Sequence, residues 1–172
     1  SGYLASEYLT NTPQANVVGN HDSSSNAYSQ HFNLPNVSGK GATTAGSDYW
    51  YVYNNTLFMN INSNNMSTAE HKAFMEEAIA ANPDARWKVV SFHHSVYSVA
   101  NHAVEGDILQ RREELTPVFD ELGIDVVLMG HDHVYVRSNI MKGMQVVTDT
   151  SDLQSVTDPD GVLYVTANSA SG

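Results

Sequence analysis

VVLMGHDH, residues 126–133, joins a continuous apolar run to a cluster of potential metal-binding side chains. Val126–Met129 has the length and β-branched composition of a buried strand, and the glycine and the two histidines follow directly at its end. Side chains at i and i+2 of an extended segment point to the same side, and glycine allows a close backbone approach. The spacing of His131 and His133 therefore predicts that they bind one metal ion together, or one each of two ions.

Two other apolar runs also end in polar clusters. Residues 17–18 lead into GNHD at 19–22, and residues 89–92 lead into His93 and His94. In open α/β sheets, functional sites form beyond the carboxyl ends of the strands. Five of the eight histidines of the chain lie at these three strand ends, and His102 follows a few residues later. We therefore predict a metal site at one edge of a sheet.

The rest of the chain predicts a mixed α/β architecture. A hairpin is expected at residues 48–53 and 56–62, around Asn54 and Asn55, and helices at 69–81 and 107–122, the first after a capping box at 67–70. Residues 23–47 lack a regular period and are predicted to form a long loop. Strands that alternate with helices indicate an α/β fold with mixed sheets. Further elements are predicted as a short helix at 3–9 and as strands at 15–18, 87–92, 125–129, 134–136, 145–148 and 162–166.

Charge and composition exclude several classes of protein. The chain has 172 residues and a formal net charge of −11, so it should repel nucleic-acid backbones and anionic lipids. We expect no nucleic acid and no membrane as partners. The chain contains no cysteine, which excludes thiol nucleophiles, disulfides and zinc–thiolate sites. Few lysines and many small polar residues are common in secreted bacterial proteins, so we expect an extracellular or cell-surface location.

Three motifs in order resemble the later motifs of the calcineurin-like metallophosphoesterases: GNHD at 19–22, V-x-x-H at 90–93 and G-H-x-H at 130–133. The stretch 93–138 resembles the purple acid phosphatase branch in particular. The resemblance implies a four-layer α/β/β/α sandwich with mixed sheets and a dinuclear centre of Fe, Zn or Mn ions. It also implies hydrolysis of a small phosphorylated substrate. An acid-phosphatase-like phosphomonoesterase is expected, and a phosphodiesterase or nucleotidase of the same fold is the alternative.

The resemblance also assigns metal ligands. Asn20, His93 and His131 match the ligands of one metal ion, and His133 matches a ligand of the other. Two such ions would clamp an in-line displacement and activate water near neutral pH, so no protein nucleophile is required.

The remaining site residues are implied in the same way. His21 matches the residue that contacts the phosphate and stabilises the transition state, and Asp22 would orient His21 through a hydrogen bond. His102 and Glu105 match substrate-pocket residues of purple acid phosphatases, although more loosely.

The sequence departs from the family pattern in one respect. It contains no Asp-x-His or Asp-x-Gly, and its one Gly-Asp pair, Gly106-Asp107, opens a helix instead of supplying the carboxylate that bridges the metals. We therefore expect residues 1–172 to form a single partial domain, truncated at the N-terminus and possibly at the C-terminus, with at most one well-held ion and little activity by itself. An unpaired sheet edge should favour a homodimer. A non-catalytic surface domain with a residual metal site is the alternative from another class.

Other polar features are predicted to be structural. His31 is expected to be solvent-exposed or locally packed, and His71 to be exposed. The tyrosines of 49–53 are expected to pack on the sheet. The acidic segment at 158–161 is expected to be a turn, since it lacks the further ligands of a calcium loop.

Overall fold

The structure, a computed structural model, describes residues 7–168. Seven strands form one mixed sheet in the order β1-β2-β3-β4-β7-β5-β6. The strands are β1 (Tyr49–Tyr53), β2 (Thr56–Asn60), β3 (Trp87–Ser91), β4 (Val126–Met129), β5 (Val136–Lys142), β6 (Gln145–Thr148) and β7 (Val162–Thr166). The helices are α1 (Glu7–Thr10), α2 (Ala27–His31), α3 (Thr68–Ala81) and α4 (Gly106–Leu122), with a 3₁₀ turn at Asn101–Val104.

The four central strands, β2, β3, β4 and β7, run parallel, while β1, β5 and β6 are antiparallel to their neighbours. The predicted α/β class with a mixed sheet is thus confirmed. Within residues 7–168, no helix has the length and apolar character needed to cross a membrane.

Helices α3 and α4 cover one face of the sheet. Ser67 caps α3 by accepting a hydrogen bond from the Glu70 amide, as the capping box predicts, and Gly123, with φ of 62°, ends α4. The apolar side chains of both helices pack on alternate residues of the parallel strands, and this layer fixes the strands relative to one another. The buried cluster includes Phe74, Met75, Leu115, Phe119, Met59, Val90, Val127 and Tyr164.

The opposite face of the sheet is largely half-exposed. Tyr51 stacks on Phe58 at 4.9 Å between ring centroids, and the apolar row continues through Val89, Val126 and Leu163 of the next strands. In the four-layer sandwich that the resemblance implies, a second sheet would lie on this face. The described residues supply the other sheet and its two main helices.

The segment predicted as a strand at 15–18 is not a strand. The carbonyl of Asn16 accepts hydrogen bonds from the Tyr28 and Tyr49 hydroxyls at 2.6 and 2.7 Å, and the carbonyl of Val18 accepts one from Asn64. The prediction is wrong because side chains satisfy this backbone in place of a neighbouring strand.

Two other elements differ from the prediction. Of the strand expected at 134–136, only Val136 lies in a strand. β5 begins there, runs to Lys142 and is joined to β6 through Gly143 and Met144, both with positive φ. Such a turn suits a two-residue hairpin, but Met144 is not a typical residue for it. The predicted loop at 23–47 contains α2, which the buried ring of Tyr28 anchors. The helix expected at 3–9 lies partly outside the described residues.

His71 is buried, which contradicts its predicted exposure. Its Nδ1 donates to Asp48 Oδ2 at 2.7 Å, and its Nε2 donates to the Asn65 carbonyl at 3.0 Å. The other oxygen of Asp48 accepts from the Asn62 amide at 2.7 Å. The loop that precedes β1 is packed so closely here that a Cβ on Gly41 would lie 2.2 Å from Asp48 Oδ1. The His71–Asp48 pair therefore ties this loop to α3.

Replacing Asp48 with asparagine should lower the free energy of unfolding by about 3 kcal/mol or more, because the buried His71 loses its charged partner. Urea unfolding followed by circular dichroism measures this loss. Asp84→Asn, which removes the same charge from an exposed site, is the control. Equal stability of Asp48→Asn and Asp84→Asn would contradict the stabilising role of the pair.

The stability that His71 contributes should depend on pH. Burial lowers the pKa of His71, but the hydrogen bond that His71 donates to Asp48 and the charge of Asp48 outweigh burial, so the pKa is raised above 6.5. The contribution is therefore complete below about pH 6.5 and is lost as pH rises through the folded-state pKa. The difference in unfolding free energy between wild type and His71→Gln should shrink from about pH 6 to pH 9. A difference that grows with pH would refute the assignment.

Candidate metal centre

Asn20, His93 and His131 converge beyond the carboxyl ends of β3 and β4. His93 Nε2 lies 2.9 Å from Asn20 Oδ1 and 3.1 Å from His131 Nδ1. The two imidazole rings lie nearly perpendicular, with centroids 4.9 Å apart. Three potential ligand atoms from distant parts of the sequence thus face one point, as the sequence predicts.

The backbone around His131 aims its side chain at this point. His131 has φ of 67°, an uncommon left-handed conformation for a residue with a side chain. The Gly130 amide donates to the His93 carbonyl at 3.0 Å, which extends the pairing of β3 and β4 past their ends. Gly130 is also close to the His93 ring, with 3.9 Å between its ideal Cβ position and Nδ1. The hydrogen bond from Gly130 therefore holds the two histidine-bearing turns together.

The Asn20 turn is held by the segment that follows β2. Asn64 Nδ2 donates to the carbonyls of Val18 and Gly19, at 3.2 and 3.4 Å. A Cβ at Gly19 would lie 3.5 Å from the His93 ring, so a small residue is suited to this position. The GNHD motif thus reaches the centre from a loop, where the sequence suggested the end of a strand.

The histidines of the centre are held in the neutral form. Burial, together with the nearby His131 and His21, lowers the pKa of His93 to about 4. The pKa of His131 is lowered in the same direction, by burial first and then by the neighbouring His102. A neutral imidazole has a free lone pair, which is the form that binds metals.

His94 packs against the rings of His93 and His131, a role that the sequence did not reveal. It is buried, and its Nδ1 lies 2.9 Å from the Ser63 hydroxyl. Arg111 of α4 donates through Nε to the Ser63 carbonyl at 2.9 Å and through Nη1 to Asp107 at 2.6 Å. Burial, together with the Arg111 charge, lowers the pKa of His94 to about 3, so His94 is neutral here.

His102 and Glu105 lie at the rim of the centre. The His102 ring is 4.8 Å from the His131 ring, between centroids, and His102 Nδ1 lies 2.7 Å from Glu105 Oε1. The hydrogen bond and the charge of Glu105 raise the pKa of His102. The structure therefore places His102 beside His131, with Glu105 next to it, and their role in a substrate pocket stays a prediction.

The remaining predicted residues are exposed. His21 lies close enough to His93 to affect its pKa, and Asp22 lies beside Gly19. Between residues 7 and 168, no hydrogen bond joins Asp22 to His21, so the expected orienting contact is not formed here. For His133, the described residues offer no hydrogen bond or ring contact to the other histidines. The roles of these three residues stay predictions.

Asp132 was not singled out from the sequence, yet it is buried beside the centre. It is 2% exposed, and neither carboxylate oxygen has a hydrogen-bond partner within residues 7–168. The ligand atoms of His102, His131 and Asp132 all lie within 4.8 Å of one another. An acidic residue between the two histidines of G-H-x-H was the one available signal in the sequence.

The donor set fits a divalent ion. Two ligands bonded to one ion at about 2.1 Å lie roughly 3 Å apart, which agrees with the 2.9 and 3.1 Å that separate His93 Nε2 from its two neighbours. Neutral imidazoles and an amide oxygen suit Zn, Mn or Fe. Asn20, His93 and His131 are therefore the residues that would hold an ion.

The family model for calcineurin-like phosphoesterases matches residues 3–135, so the chain belongs to this family of metal-dependent hydrolases. Within it, the chain is similar to purple acid phosphatase 17 of Arabidopsis thaliana, with 45% identity over 49 residues, 28% of this chain and 14% of that protein. An uncharacterized protein of Mycobacterium tuberculosis is 28% identical over 151 residues, 78% of this chain and 28% of its own length.

The fold agrees with this assignment. Purple acid phosphatase PPD1 from seeds of yellow lupin (Lupinus luteus) superposes with a TM-score of 0.54 and 19% identity, over 69% of this chain and 22% of that one. The predicted resemblance to purple acid phosphatases is thus found both in sequence and in fold. The chain spans between 14% and 28% of the length of these curated relatives.

His131→Ala should abolish retention of a divalent ion, because it removes one of the three ligands that converge at the centre. Metal content after incubation with Zn or Mn and dialysis measures the effect. His31→Ala is the matched control, since His31 is exposed and its Nδ1 bonds to the Ala27 carbonyl of its own helix. Equal metal content in wild type and His131→Ala would refute the assignment.

Proposed function

We propose that the chain carries half of the dinuclear centre of a phosphomonoesterase of purple-acid type, which acts on a small phosphorylated substrate. The observation that carries the proposal is the convergence of Asn20, His93 and His131 beyond the parallel strands, with His102 and His21 beside them. Phosphodiester and nucleotide substrates are the alternative.

The metal ions, when bound, polarise the phosphoryl group and activate water. The chain itself supplies the residues that bind the substrate. His102, whose pKa Glu105 raises, carries positive charge over a wider pH range than a free histidine and donates a hydrogen bond to an anionic phosphoryl oxygen. His21 is exposed near His93, where it donates to a phosphoryl oxygen or protonates the leaving group.

The partners, the location and the oligomeric state of the protein are also proposals. The net charge of −11 argues against nucleic acids or anionic membranes as partners and suits a small substrate that reaches a metal centre. Composition favours an extracellular or cell-surface location. The sheet ends at β1 and β6, and these edges are the candidates for a homodimer contact. On the β1 edge, Val37 already pairs with Tyr49.

The substrate class can be tested with p-nitrophenyl phosphate and bis-p-nitrophenyl phosphate in the presence of Zn, Mn or Fe. We expect the monoester to be hydrolysed faster by a longer protein that has D-x-[HG] and G-D-x-x-[DY] motifs upstream of these residues. The 172-residue chain should be slow with both substrates, because two-metal catalysis needs ligands that its sequence does not contain. Faster turnover of the diester would favour the alternative. Comparable turnover by the short chain would contradict the need for upstream ligands.

His21→Ala in the active protein should lower kcat by roughly 10²-fold or more, as the loss of one positioned acid or transition-state donor usually does. Metal content should stay unchanged, because His21 is not among the proposed metal ligands. His31→Ala is the control for general effects of removing an exposed histidine. Loss of metal in His21→Ala would mean that His21 is a ligand.

A further inference from the structure

We propose that His102, His131 and Asp132 form a second cation position, which shares His131 with the position formed by Asn20 and His93. The ligand atoms of the three residues lie within 4.8 Å of one another. The inference does not depend on the proposed hydrolysis, because it concerns where this chain binds an ion.

The buried carboxylate of Asp132 is the first reason. Its side chain is 2% exposed and has no hydrogen-bond partner for either oxygen within residues 7–168. Burial of an unpaired carboxylate is costly, and buried charges are normally paired or coordinate metals. The imidazoles of His102 and His131 have ligand atoms within 4.8 Å of this carboxylate. A cation between the three residues would satisfy the carboxylate.

The second reason is the orientation of His102. Its Nδ1 bonds to Glu105 Oε1 at 2.7 Å, which leaves Nε2 as the nitrogen available to an ion. A histidine that donates its other nitrogen to a carboxylate is the usual arrangement around a protein-bound metal. The His102 side chain is 48% exposed, so it has the freedom to move by the roughly 1–2 Å that would bring a 4.8 Å separation to the distance between two ligands of one ion.

Two imidazoles and one carboxylate define the class of ion. This donor set is typical of Zn²⁺ in hydrolytic sites and of Fe²⁺ in facial triads, and it leaves coordination positions for water. A neutral imidazole has one free lone pair, so His131 serves one position at a time and the two positions hold a single ion between them. An ion at the second position also occupies the His102 nitrogen proposed to bind phosphate, so it would oppose substrate binding.

The test removes the position that Asn20 and His93 form and measures whether the chain still binds a metal ion. Co²⁺ is the spectroscopic probe and Zn²⁺ the calorimetric probe, at mildly alkaline pH so that the imidazoles are neutral. His93→Ala should still bind one ion. In that background, Asp132→Asn should weaken binding by at least roughly tenfold, whereas Asp152→Asn, which removes the same charge from an exposed site, should leave the affinity unchanged.

A second variant makes the test independent of Asp132. His102→Gln, at a rim position, should also weaken binding by roughly tenfold in the His93→Ala background. Circular dichroism checks that each variant is folded. If folded His93→Ala binds no ion, or if its residual binding is indifferent to both Asp132→Asn and His102→Gln, the second position does not exist. Neither result would affect the proposed phosphatase, which is tested by the His21 variant and by substrate turnover.

Discussion

β3 and β4 run parallel, with Val89 opposite Val126 and Ser91 opposite Leu128. Because both strands end at the same edge of the sheet, the turns that follow them bring His93 and His131 side by side. One more backbone hydrogen bond, from Gly130 to the His93 carbonyl, holds these turns together beyond the last paired residues. The helix layer packed on one face maintains this register, so the distances between the ligand atoms depend on the order of the parallel strands.

Residues 63–65, after β2, connect the other parts of the molecule to this edge. Ser63 contacts both His94 and Arg111, Asn64 holds the carbonyls before Asn20, and the carbonyl of Asn65 accepts from His71. Through these contacts α3, α4 and the Asn20 loop meet at one short segment. The segment has polar side chains because each neighbour presents a backbone or side-chain group that needs a partner. The positioning of the centre and the stability of the loops are therefore coupled.

Local sequence patterns were sufficient for the features that are decided locally. The apolar runs of β3 and β4 and the capping box of α3 predicted elements that the structure contains. The resemblance to the metallophosphoesterases predicted that Asn20, His93 and His131 lie together. The patterns failed where a distant residue decides the outcome. His71 lies in a helix with polar neighbours, and its burial depends on Asp48, 23 residues away. Likewise, Asp132 is hidden by its surroundings in three dimensions, and no periodicity in the sequence signals that.

The three groups that meet at the centre lie far apart in the chain: Asn20 and His93 are 73 positions apart, and His93 and His131 are 38 positions apart. An unfolded chain would not keep them together, so an ion bound by all three has affinity for the folded state alone. At a free concentration a hundred times its dissociation constant, such an ion adds about 2.7 kcal/mol to folding. In a chain without cysteine, it would act as a removable cross-link. Metal supply would thus set the fraction of molecules open to proteases, and so the lifetime of the protein as well as its chemistry.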